Sequence, residues 1–257
     1  MQSITKMKIK LNKILRNGKA MFLAYDHGLE HGPGDFNDLD VDPNYIMDIA
    51  KKGKYNAIIL QKGIAEKYND KIKKLKIPLI IKLNGKTNLF KGEPISRQLC
   101  TVKEALKLGA VAVGYTIYIG SEYESVMMKE FDGIEEEAHK YGIPVIAWIY
   151  PRGKSVEKKS EGDLMAYAAR TGLEIGADLI KMKYNGNIND LMWSVKVAGK
   201  SKIVIAGGTK EDDKNFLEDA KKIMKTGATG LAVGRNIWQS KNPIELSNKL
   251  RKIIFEK

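Results

Sequence analysis

Two lysines stand two residues apart inside an apolar run. Gly176–Gly186 reads GADLIKMKYNG, with Lys181 and Lys183 set among Leu179, Ile180, Met182 and Tyr184. A strand turns alternate side chains to opposite faces, so both ammonium groups point the same way, about 7 Å apart along the strand. Two readings follow. In one, both lysines flank a strand end and snorkel to solvent, which suits Lys183 better than Lys181, one layer deeper. In the other, a desolvated Lys181 beside a second cation loses its proton more easily. A neutral amine is the nucleophile that Schiff-base chemistry needs, and Lys183 is then the tuner of Lys181.

Other reactive side chains also close apolar runs. Asp26 ends MFLAYD and opens a glycine-rich loop, HGLEHGPGDF. It reads either as a cap on that turn or as an acid/base carboxylate. His27, Glu30, His31 and Asp35 in the loop are metal-ligand types, but no third histidine lies near them. VIAWIYPRGK puts Trp148 and Tyr150 on one strand face, to pack in the core or to face a site, with Arg152 and Lys154 beyond. Lys82 and Asn84 share a face before a long polar loop that holds Lys86 and Lys91. IAGGTK and AVGRNIW bring Gly207, Gly208 and Gly234, where backbone N–H groups can approach an anion, and Arg235, whose guanidinium can fork onto phosphate.

Positioning such groups together requires a repeating frame. Eight short apolar runs recur: Met21–Tyr25, Asn56–Leu60, Leu79–Leu83, Val111–Tyr115, Val145–Tyr150, Asp178–Tyr184, Lys202–Gly208 and Gly230–Arg235. Segments of helical period lie between them. Gly53, Gly109, Gly176 and Gly227 precede strands as left-handed helix C-caps, and Pro78 and Pro144 stand at strand starts. Strands alternating with helices imply parallel pairing. Eight units in about 250 residues predict an α/β fold, a (β/α)8 barrel forming one domain over 1–257. A doubly wound sheet would have fewer strands, and no G-x-G-x-x-G follows the first strand. ITKMKIKLNKIL, ahead of that strand, predicts a short extra helix over the N-terminal end of the barrel.

The chain has 257 residues, a formal charge of +13 and one cysteine, Cys100. A single cysteine excludes an internal disulfide framework. No apolar run has the length of a membrane span, and the N-terminus does not read as a signal peptide. A cytoplasmic protein is expected. The positive charge is mostly lysine spread along amphipathic segments. A nucleic-acid reader leans on arginine and a recognisable binding motif, so a solvated lysine surface that attracts anionic substrates is the better reading.

The strand ends carry a resemblance as well. LAYDHGLEHGPGDF, IKLNGKTNLFKGEPISRQ, AVGYTIYIGS, IAWIYPRGKSV, LIKMKYNGN, AGGTK and AVGRNIWQ closely resemble the archaeal-type class I fructose-1,6-bisphosphate aldolases of the DhnA/LsrF-like group. The likeness runs from about Met21 to Gln239. It implies a metal-free, cofactor-free lyase of glycolysis and gluconeogenesis, working through a lysine Schiff base on a sugar phosphate. It places the Schiff-base lysine at Lys181, the catalytic tyrosine at Tyr150, the aspartate at Asp26 and the active-site tryptophan at Trp148. The phosphate grip falls on Gly207, Gly208, Gly234 and Arg235. The family more often has serine where this chain has Ala206. Relatives with other substrates include heptulosonate synthases and enzymes acting on autoinducer-2. Family members are commonly homo-oligomers, rings or stacked pentamers forming a decamer.

Overall fold

The computed structural model describes residues 9–256. Eight strands close into a parallel barrel: β1 (Ala20–Tyr25), β2 (Ala57–Gln61), β3 (Leu79–Lys82), β4 (Ala110–Ile119), β5 (Val145–Pro151), β6 (Leu179–Met182), β7 (Lys202–Ala206) and β8 (Gly230–Val233). Each strand pairs with its sequence neighbours, and β1 closes on β8 with Ala20 opposite Gly230. This is the expected (β/α)8 barrel. All eight expected runs became strands, but β4 continues four residues beyond Tyr115. That extension changes the mouth of the barrel.

Period-2 alternation divides the apolar residues into two cores. Phe22, Ile59, Ile80, Ala112, Ile146, Leu179 and Val204 fill the barrel interior. Their strand neighbours, among them Leu23, Ile58, Ile81, Val113 and Ile180, pack outward against the helices. The helices start where short polar side chains stop the strand-to-helix loops. Asp42, Ser160 and Asp212 accept backbone N–H bonds at their helix N-caps, and Thr101 with Glu104 forms a capping box.

Three of the four glycines expected as left-handed caps are so: φ is +88° at Gly109, +84° at Gly176 and +88° at Gly227. Gly53 is not. Its backbone is right-handed, and Lys54 takes the positive φ of 55° instead. Glycine is required at 53 because a Cβ there would lie 2.7 Å from the Tyr55 ring and 2.9 Å from Cβ of Ser247.

The segment ahead of β1 falls partly outside the described residues. Its described part contains a single 3-10 turn, Leu11–Lys13, tied down by Lys10 N–H donating to Gly142 O at 3.1 Å. Ile14, which follows the turn, is 1% exposed and belongs to the interior core, with Leu11 and Leu15 packed against it. The segment therefore plugs the N-terminal end of the barrel. Burying one isoleucine in this way contributes about 2 kcal/mol.

Candidate active site

The alternation that fills the interior also builds the mouth. On β1 the inward series runs Phe22, Ala24, Asp26; on β3, Ile80, Lys82; on β5, Ile146, Trp148, Tyr150; on β6, Leu179, Lys181, Lys183. Each series changes from apolar to ionisable toward its C-terminal end. Alanines at 24, 206 and 232 leave room above the apolar layers. The result is a cavity of about 270 Å³ at the C-terminal ends of the strands. Asp26, Trp148, Tyr150, Lys181, Lys183, Gly207, Gly208, Gly234 and Arg235 all line it, together with Glu30, His31, Lys82, Arg152 and Thr209. The fold thus brings together Lys183 and every residue that the resemblance places in the site. Lys154 lies outside it, in a neighbouring groove with Lys91.

Lys181 is 6% exposed and stands at the centre. Its register partner on β5 is Trp148, and its Nζ lies 5.1 Å from the Trp148 ring centroid. Burial depresses its pKa; Asp26 opposes that effect and Lys82 adds to it. The neighbouring cation is therefore Lys82 rather than the expected tuner, Lys183. Lys183 falls just past the end of β6 and is exposed, although burial and Arg152 lower its own pKa. The effect of Lys82 on Lys181 was hidden from a local reading because β3 meets β6 only through barrel closure.

Asp26 is 5% exposed, and its Oδ2 lies 3.8 Å from Lys82 Nζ. Burial alone would raise its pKa, but the ammonium groups of Lys181 and Lys82 outweigh burial and hold it below the usual range. Asp26 is thus an ionised carboxylate between two lysines. Tyr150 is the opposite case: burial, followed by the negative field of Asp26, pushes its phenol well above the ordinary value. It keeps its proton across the physiological range.

Trp148 is wedged against β4. A Cβ at Gly114 would sit 1.4 Å from Cζ3 of its indole. Glycine at 114 thereby makes the space the ring occupies. The two readings of Trp148 merge here, since the ring is core on one side and faces Lys181 on the other.

The rim is cationic but braced by carboxylates. Glu30 accepts from Arg152 Nη1 at 2.7 Å and from the Tyr118 hydroxyl at 3.2 Å. The Arg152 guanidinium also lies over the Tyr118 ring, 5.2 Å from its centroid. Asp35 Oδ2 lies 2.7 Å from His31 Nδ1 and 3.3 Å from Arg235 Nη1. The segment after β1 therefore supplies one carboxylate to each of two arginines, one just past β5 and one at the start of the helix after β8. Neither Tyr118 nor Glu30 was assigned such a role from the sequence, because Tyr118 reaches the mouth only through the extension of β4. Asn84 serves the frame: its Nδ2 donates to Ser96 O and Thr116 O, and its Oδ1 accepts from Thr116 N–H.

Among the described residues no group of three or more His, Cys, Asp or Glu side chains is placed to hold a metal ion. His27 instead stacks on Trp238, with ring centroids 5.2 Å apart. Among the described residues no helix is long and apolar enough to cross a membrane.

A buried lysine of depressed pKa shares its cavity with an ionised carboxylate and a protonated phenol beneath a cationic rim, the set of groups that amine attack on a carbonyl requires. The chain belongs to the DeoC/LacD family aldolases, whose family model matches residues 20–240. It is 45% identical to the class 1 fructose-bisphosphate aldolase of Thermoproteus tenax, over 93% of this chain and 91% of that protein. It is 37% identical to a fructose-bisphosphate aldolase/6-deoxy-5-ketofructose 1-phosphate synthase of Methanocaldococcus jannaschii, over 93% of this chain and 81% of that one. Among solved structures it is similar to an archaeal fructose-1,6-bisphosphate aldolase whose catalytic lysine is covalently bound to the carbinolamine intermediate of the substrate. That likeness has a TM-score of 0.90 and 43% identity, covering 95% of this chain and 98% of the other.

Proposed function

We propose that this chain is a class I fructose-1,6-bisphosphate aldolase. It reversibly cleaves fructose 1,6-bisphosphate to dihydroxyacetone phosphate and glyceraldehyde 3-phosphate, the step shared by glycolysis and gluconeogenesis. The observation that carries the reading is Lys181: a lysine 6% exposed, its ammonium form disfavoured by burial, inside the one cavity that Asp26 and Tyr150 share with it.

The neutral amine of Lys181 attacks the C2 ketone. The carbinolamine loses water as protons pass through Asp26, leaving an iminium. The iminium takes up the electron pair of the C3–C4 bond as the C4 hydroxyl loses its proton and the aldehyde departs. C3 of the resulting enamine is then protonated, and hydrolysis frees dihydroxyacetone phosphate and Lys181. Tyr150 moves the proton at the C4 hydroxyl or C3. Its raised pKa makes it a proton reservoir rather than a resident base. Trp148 walls the ketone. Gly207, Gly208, Gly234 and Arg235 hold the ketone-side phosphate and so fix the carbonyl above Lys181. Lys82, Lys183 and Arg152 supply the positive field for the rest of the substrate.

No metal or other cofactor takes part in this scheme. The sugar phosphate accounts for the positive charge without a nucleic acid. The reading also takes residues 1–257 as one domain, cytoplasmic and assembled as a homo-oligomer.

The experiment is reductive trapping. Dihydroxyacetone phosphate is added with borohydride and EDTA, followed by intact mass and a peptide map. A reduced triose adduct on Lys181, lost in Lys181→Met, is expected. An adduct on Lys183, or cleavage abolished by EDTA without any adduct, removes the mechanism. The bifunctional name of the Methanocaldococcus relative makes a different carbonyl partner the second reading. Competing aldehyde acceptors against one another in the condensation direction separates the two.

A further inference from the structure

Asn236 lies in the short helix Arg235–Trp238, immediately after two residues of the phosphate grip. It is 0% exposed and does not line the cavity. Yet it spends its whole side chain on the neighbouring turn. Nδ2 donates to Gly207 O at 2.6 Å and to Thr209 O at 2.9 Å, and Oδ1 accepts from Glu211 N–H at 2.9 Å. A buried amide with both donors and its acceptor used is a rigid part.

The consequence follows from peptide geometry. In a trans planar peptide the C=O and the next N–H point in opposite directions. Asn236 draws the carbonyls of Gly207 and Thr209 toward itself, so the N–H groups of Gly208 and Lys210 point away from it. Between those two carbonyls Gly208 has φ of +72°, a left-handed bend that places its own carbonyl on Arg235 Nη2 at 3.2 Å. One amide thereby sets the turn after β7, and through that turn the position of Arg235.

We infer that Asn236 is the positioning residue of the phosphate grip: it orients the Gly207–Thr209 turn so that backbone N–H and the Arg235 guanidinium converge on the ketone-side phosphate. It touches no substrate. Its effect falls on phosphate affinity and not on the chemistry at Lys181. The identity of the anion rests on the aldolase reading; the binding of phosphate as such does not.

Asn236→Asp keeps the acceptor for Glu211 N–H but loses both donors and sets a carboxylate against two carbonyls. Thermal unfolding of the full chain is followed against inorganic phosphate, wild type beside variant. The variant is expected to lose about tenfold or more in phosphate affinity, the worth of one or two hydrogen bonds to a charged group. Equal phosphate affinity in the two proteins, or none in wild type, overturns the inference. Borohydride trapping then compares dihydroxyacetone phosphate with dihydroxyacetone. The concentration giving half-maximal trapping of the phosphorylated ketone is expected to rise about tenfold. The maximal rate, and trapping of the unphosphorylated ketone, stay within about twofold. A parallel loss for both ketones means general damage to the fold and overturns the inference as well. Asn236→Ala, which removes the three bonds without adding charge, carries the same test where the aspartate variant does not fold. If wild type traps neither ketone, the aldolase reading falls while the phosphate titration still decides the role of Asn236.

Discussion

Replacing Gly114 by alanine reaches the proposed reaction centre through packing alone. An alanine Cβ would lie 1.4 Å from Cζ3 and 1.7 Å from Cη2 of Trp148. Carbon atoms in contact settle near 3.5 Å, so the ring has to recede by roughly 2 Å. Trp148 is 1% exposed and lies in a closed barrel, between β4 and β6, so a push from β4 drives it toward Lys181. Overpacking of this kind costs about 1–3 kcal/mol, and a displacement this large belongs at the upper end, near 3. The displaced ring also invades the space above Lys181. Urea unfolding should show a lower midpoint at unchanged slope, and turnover should fall about a hundredfold or more, in keeping with misplacement of about 1 Å or more. A double-mutant cycle with Trp148→Leu checks the cause. Removing the indole should relieve the clash, so the two changes together cost at least about 1 kcal/mol less than their sum. Additive costs, or a Gly114→Ala protein within about 0.5 kcal/mol of wild type, would refute the wedge.

Three further outcomes are expected. Lys82→Met takes away a cation that lowers the pKa of both Lys181 and Asp26. Both values rise, so the acid limb of the kcat/KM profile should move alkaline by about one unit or more, and an unmoved limb would detach Lys82 from the centre. Tyr150→Phe should form the trapped Lys181 adduct with dihydroxyacetone phosphate but lose about 10²–10⁴ in cleavage rate; loss of the adduct itself would place the tyrosine in carbinolamine formation instead. Burial lowers the pKa of His27 to about 4. The unfolded chain therefore binds the proton first, near pH 6.5, and stability falls as pH drops from about 6.5 to 4. His27 accounts for up to about 3 kcal/mol of that loss, and His27→Gln should flatten the dependence of the urea midpoint over that window.

Much of this was legible along the chain because alternation is a local property. The parity that put Lys181 and Lys183 on one face is the parity that points Lys181 into the barrel, and the same count placed Asp26, Trp148 and Tyr150. What escaped depends on closure. Lys82 acts on Lys181 across strands that are not neighbours in the barrel, and no spacing in the sequence measures that approach. Tyr118 was left out because Val111–Tyr115 already made a complete strand; the β-branched and aromatic residues that follow carry β4 on to Ile119. Gly53 reads like the other cap glycines, yet it is small for the sake of Tyr55 and Ser247, and the latter lies 194 positions away. Asn236 sits inside a motif whose neighbours, Gly234 and Arg235, drew the attention.

The closure of β1 on β8 also bears on how the chain reaches its working state. Ala20 pairs with Gly230, so the first and last strands join ends separated by most of the sequence. A Cβ at Gly230 would strike Ala20 O at 1.8 Å, which makes the seam intolerant of any larger residue. Contacts this remote in sequence are slow to form. Asp26 directly follows the first strand of the ring, and Gly207, Gly208 and Gly234, the glycines of the proposed phosphate grip, follow the last two. A half-built barrel would leave Lys181 in water, with an ordinary ammonium in place of the proposed nucleophile. Catalysis is therefore an all-or-none signature of the finished ring, and regain of activity during refolding should lag behind regain of helical signal by the time the seam takes to close.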